Sequence, residues 1–187
     1  MKTSLLIWTG LISIVLFLSG CLTCEKKEYT FKFTGDNSGQ LTIKYINIMS
    51  TKDDSIDNSE EDFNTLMTDY YEGAEIENEF PEATLVSKKL FKENDVLCGE
   101  IVIEFTDMAM AHLYQHQGKG PLMYCLGCYS IDSEYYSESN GEYGGDIMPV
   151  VFWEPGLKKL ELKTDVTLPD ETTVSLLDKY EEWEKGK

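Results

Sequence analysis

The chain has 187 residues, with 34 acidic side chains against 16 basic ones and a formal net charge of −18. Every basic residue is Lys; there is no Arg to offer the bidentate fork that phosphate and base recognition use, and an acidic surface repels polyanions, which argues against nucleic-acid binding and phosphoryl transfer. The length suits a single domain whose core does not depend on disulfides, and the charge favours cations, cationic polymers or neutral ligands such as glycans as partners.

The chain opens with Met1-Lys2-Thr3-Ser4, a short segment with one cation, and continues through an uncharged apolar run over 5–18. That run falls short of the roughly 20 residues a membrane-spanning helix needs, and its position and small-residue flank read as a cleaved export signal. Leu18-Ser19-Gly20-Cys21 closes it. This segment resembles the lipobox of bacterial lipoproteins. The resemblance implies that residues 1–20 are removed and that Cys21 carries a diacylglyceryl thioether and an N-acyl chain. It further implies a membrane-held protein of the cell envelope. Leu22 stands where an Asp resembles the inner-membrane retention signal of two-membrane bacteria, which points to the outer membrane. Residues 21–27 then read as the lipidated cysteine and a short tether, and 28–187 as one domain.

Residues 29–33 and 41–48 alternate apolar and polar positions around a Gly- and Ser-rich turn, which predicts a β-hairpin. A polar loop leads to Ser59 and three acids, a helix start. Phe63, Leu66, Met67, Tyr70 and Tyr71 follow at helical spacing up to Gly73. Segments 84–91 and 96–105 predict a second hairpin about Glu93-Asn94-Asp95, the latter strand being the most apolar and expected at the sheet centre. Asp107 is placed to cap a short helix over 108–115. Residues 122–131 read as extended, and 133–146 as a loop or hairpin tip rich in Tyr, Ser and acids. A third hairpin is expected from 148–153 and 157–163 around Pro155-Gly156, a type II pair. Pro169 and Asp170 are expected to open a C-terminal helix with Val174, Leu177, Tyr180 and Trp183 on one face. A hairpin followed by an acid-led helix thus occurs at 29–73 and again at 148–184, which either an internal duplication or convergence on a common β-β-α plan would leave. The fold class is α+β: a mostly antiparallel sheet built from hairpins, with two or three helices on one face.

Candidate chemistry centres on His112 and His116, four residues apart, followed by Cys125-Leu-Gly-Cys128. On a helix the two imidazoles would share a side, and both halves are metal-ligand spacings. Such a Cys2His2 set suits Zn²⁺, and with Met108, Met110 and Met123 nearby a Cu⁺ site. The competing reading takes Cys24, Cys98, Cys125 and Cys128 as an even set in an exported protein, where disulfides, including a bridge across the sheet, are expected. Free buried thiols are the third option. The alternating acids from Asp53 to Glu61 lack the mid-loop Gly of a calcium loop and read as a solvated turn. Tyr129, Tyr135, Tyr136 and Tyr143 lie among polar residues and offer rings for sugars or a protein partner, or for packing on the sheet edge. No nucleophile elbow, zinc-protease motif or phosphate loop is present. The expectation is a non-catalytic lipoprotein that binds or assembles with an envelope protein or glycan and needs no cofactor beyond its lipid. The alternative is a metal-handling lipoprotein using the His and Cys cluster.

Overall fold

The computed structural model describes residues 22–54, 56–128 and 133–187. Residues 1–20, read from sequence as an export signal, together with Cys21 and Tyr129 lie outside the described residues. All the strand pairs are antiparallel. The larger sheet runs β3 (Thr84–Glu93), β4 (Val96–Phe105), β2 (Gly39–Thr51), β1 (Leu22–Phe33), β10 (Lys159–Asp165), β7 (Tyr135–Ser139), with β11 (Thr173–Ser175) on the far end of β2. A smaller sheet runs β5 (Tyr114–Gln115), β6 (Leu122–Cys125), β9 (Val150–Trp153), β8 (Glu142–Tyr143). The helical segments are α1 (Ser59–Thr65), a π-helical turn (Leu66–Tyr71), α2 (Glu75–Glu79), two short 3-10 turns, and α3 (Leu177–Lys185). The architecture is therefore α+β, dominated by antiparallel sheet.

Alternation decides which face of the large sheet is covered. Tyr29, Phe31, Leu41, Ile43, Ile101, Ile103, Leu160 and Leu162 point to one side and are buried. The intervening Thr30, Lys32, Lys44, Glu104 and Lys163 remain wholly or partly exposed. The small sheet packs on the apolar face through Tyr124, Val151 and Trp153, with Phe31 edge-on to Trp153 at 6.3 Å between ring centroids. A second apolar cluster joins Phe63, Leu66 and Met67 of the 59–71 helical segment and Leu177 and Tyr180 of α3 to Ile48 and Leu97 of the sheet.

Two predicted hairpins form as expected. β1 and β2 pair from Phe33↔Gly39 outward. β3 and β4 close on Asn94 and Asp95, both at positive φ (50° and 60°), as a type I′ turn requires. Other expectations are corrected. Residues 22–27 are not a tether but the first half of β1, with Leu22 opposite Ser50 and Lys26 opposite Ile46. β4 lies one strand in from the edge, and β2 and β1 occupy the middle. The third hairpin does not exist. Gly156 does turn the chain at φ 88°, but β9 already has β6 and β8 on its two sides while β10 has β1 and β7. A turn reverses direction; it does not choose a partner.

The 133–146 segment is likewise not a loop but β7 and β8, which step from one sheet to the other. Asn140 ties that step: its Oδ1 accepts from Trp153 Nε1 and from the Glu161 amide, both at 2.8 Å. A Cβ on Gly141 would lie 2.6 Å from the Trp153 ring, so only glycine passes there. The helix expected from Pro169 begins only at Leu177. Asp170 turns its carboxylate to Thr172, and β11 fills the stretch of β2 that β4 leaves unpaired beyond Gly99↔Tyr45. With these two changes the 29–73 and 148–184 segments differ in topology, and the resemblance between them does not extend to the fold.

Candidate functional site

The 59–80 segment builds a cleft. Asp62 is buried in α1 and accepts a hydrogen bond from Ser50 Oγ. Phe63, Leu66 and Met67 press one end of the segment onto the second apolar cluster. At the other end Ile76 and Phe80 enter the main core. The π-helical turn and the loop at Gly73 span the gap between these two contacts. Lys88 Nζ holds the loop by donating to the Gly73 carbonyl at 2.6 Å, with Glu77 close by. Beneath the span lies a cavity of about 400 Å³ lined by Leu22, Tyr45, Ile48, Leu66, Ile76, Leu90 and Ile101. Gly99 forms part of its floor, where a Cβ would stand 3.2 Å from Ile48 Cδ1 and 3.5 Å from Leu90 Cδ2.

One end of the cleft is polar. Lys27, also in the lining, donates to Glu134 Oε1 at 2.9 Å. Tyr29 OH reaches both Glu134 oxygens at 2.9 Å, and Thr164 Oγ1 donates to Oε2 at 3.0 Å. Burial, with Tyr124 and Glu134 adding to it, pushes the Tyr29 phenol well above its ordinary value. Burial does the same to Tyr45, so both hydroxyls stay protonated at neutral pH. A buried carboxylate with an ammonium and two hydroxyls on it is a satisfied structural group. The cleft as a whole is in the size range of small-ligand sites, about 300–1,000 Å³; its lining is largely apolar and also includes Glu75, Glu79, Lys89 and Glu100.

The residues singled out from sequence lie elsewhere. The 108–115 helix is a correction: Asp107 does accept from the Ala109 amide, but the 3-10 turn ends after Ala111 and His112 adopts a left-handed conformation at φ 56°. The chain bends there because Ala111 and Leu113 are both drawn into the core. His112 stacks on Phe80 at 4.8 Å, and burial lowers its pKa. His116 sits on a separate turn, exposed, with Nδ1 3.3 Å from Tyr114 OH. Cys125 and Cys128 form a disulfide with each other. Among the described residues no three His, Cys, Asp or Glu side chains are grouped to hold a metal ion. The convergence of His112, His116, Cys125 and Cys128 that the metal-handling alternative required is therefore not seen, because it depended on a continuous helix. Nor is there a bridge across the sheet among the described cysteines: Cys24 and Cys98 are both buried and not joined to Cys125 or Cys128, and burial raises the pKa of Cys98.

Asp53 bridges Ile56, and Asp57 accepts from the Ser59 amide, an ordinary turn in place of a calcium loop. Tyr136 and Tyr143 stack face to face at 4.2 Å and lean on the main core, while Tyr135 stays 66% exposed. Sequence reading missed the cleft altogether. Its one local signal was Gly99 inside the most apolar strand, since a strand glycine marks a missing side chain or a close approach.

No family model, no curated protein and no solved structure matches the chain. Its function has to be argued from its own residues.

Proposed function

We propose that this chain is a lipid-anchored protein of the bacterial cell envelope, held to the outer membrane by acyl chains on Cys21, and that its domain is a non-catalytic binding module with the cleft as its ligand site. The observation that carries this reading is the position of the cleft: its wall begins at Leu22, the residue that follows the lipobox cysteine. A binding role is supported by the state of the charged groups there. Lys27 is engaged by Glu134, Lys88 by Gly73 and Glu77, and Lys89 by Glu100, so the lysines of the lining are paired and its aliphatic side chains are the larger part of what the cleft offers a ligand. The acidic surface adds little attraction to anionic lipid, so the acyl chains supply the membrane binding. Each buried methylene contributes about 0.8 kcal/mol, and two or more chains hold stably. Partners are then envelope proteins, glycans or amphiphiles met at the bilayer surface.

The test is mass spectrometry of the full chain expressed in a bacterium, with a thiol count. The N-terminal peptide is expected to start at Cys21 and to carry diacylglyceryl and N-acyl groups, and Cys21→Ala is expected to move the protein out of the membrane fraction. The Cys98 thiol should react in unfolded but unreduced protein and be protected in the native fold, where it is buried. An unmodified Cys21 thiol on an intact leader would overturn the reading.

A further inference from the structure

We propose that the cleft between the 59–80 helical segment and the large sheet seats one acyl chain of the protein's own anchor. The inference rests on the lipidation of Cys21 proposed above and names the occupant of that same site. Three observations point to it. First, there is no tether. Leu22 is already paired with Ser50 in β1 and is itself part of the cleft wall. A lipid on Cys21 therefore starts one residue from the wall, since adjacent Cα atoms are about 3.8 Å apart. Second, Ile48, Leu66, Ile76 and Leu90 around Gly99 give the lining an aliphatic stretch beside its charged residues, and that stretch suits a chain of methylenes. Third, at about 400 Å³ the cavity lies in the size range of a site for one small ligand, so one chain enters and the others remain in the bilayer.

The competition between occupants follows from the covalent link. A group attached through a short connection acts at an effective concentration of the order of millimolar. A free amphiphile must reach that concentration to displace it. Moving a chain from bilayer hydrocarbon into an apolar cleft exchanges one apolar surrounding for another, so the anchor remains divided between the two. Seating one chain draws the cleft mouth, and with it the Leu22 end of the sheet, against the membrane.

The experiment uses the full chain in a bacterium fed a fatty acid that carries a diazirine and an alkyne. Membranes are irradiated and the crosslinked peptides mapped. The expected product joins the acylated Cys21 peptide to cleft peptides from 66–79 or 88–101, and its yield falls several-fold in Gly99→Leu or in Leu90→Trp, which fill the cavity. The wild-type map decides even if both variants misfold. Cleft peptides joined to phospholipid instead of to the N-terminal peptide would overturn the proposal in favour of a diffusing lipid, leaving the functional reading intact. An acylated Cys21 crosslinked only to bilayer lipid would overturn it too. An unacylated Cys21 would remove both this proposal and the reading beneath it.

Discussion

Glu134 keeps 2% of its side chain exposed and lies 2.9 Å from Lys27 Nζ, itself 11% exposed. A pair this deep gains little net stability, because desolvating both charges offsets their attraction, but removing one partner is costly. Lys27→Met is therefore expected to destabilise the fold by roughly 3–5 kcal/mol, read from the urea midpoint. The double variant Lys27→Met with Glu134→Leu should recover most of that loss. An unmoved midpoint in the single variant would mean that the carboxylate is not buried. No sequence signal marked this pair, since Glu134 lies more than a hundred residues from Lys27 and is one of 34 acids.

At the scale of elements, the β3–β4 turn places Asn94 and Asp95 at positive φ. Side chains other than glycine are strained there, Asn and Asp least. Asp95→Gly is expected to raise stability by up to about 1 kcal/mol and Asp95→Val to lower it, as measured by thermal unfolding. The lost Lys92–Asp95 ion pair is exposed and offsets little of the gain. This hairpin and the first one were legible in the sequence because alternation and turn chemistry act between neighbours. β9 and β10 were not. Their turn was read correctly, yet each strand found partners from distant parts of the chain. The 108–115 helix failed for a related reason: its cap formed, and burial of Ala111 and Leu113 then bent the chain at His112.

For the whole molecule, three phenols, Tyr29 and Tyr180 buried and Tyr45 partly buried, govern the alkaline limit. Tyr29 and Tyr45 are raised well above 10.0 by burial. Tyr180 is pushed up to about 12, by burial first and then by Glu184; its hydroxyl also donates to the Leu90 carbonyl at 2.9 Å. Each phenol ionises in the unfolded chain near 10 while the folded form still holds its proton. The unfolded state then binds fewer protons, so stability is full below about pH 10 and falls as pH rises toward the folded values. Unfolding midpoints measured from pH 8 to 12 should be level at first and then drop. Tyr180→Phe should make the drop shallower. A flat profile to pH 12 would mean that these phenols are solvent-exposed.

The sequence by itself determined the anchor hypothesis, the acidic surface, the α+β class and the two hairpins whose turns and strands are contiguous. Those features depend on composition or on residues a few positions apart. Only the tertiary structure decided that β1 begins at Leu22, that the Cys125 and Cys128 sulfurs bond to each other, that the histidines point apart from them, and that a cleft opens over Gly99. Each of these depends on which distant segments share a layer, and burial of side chains far apart in the chain fixes that choice.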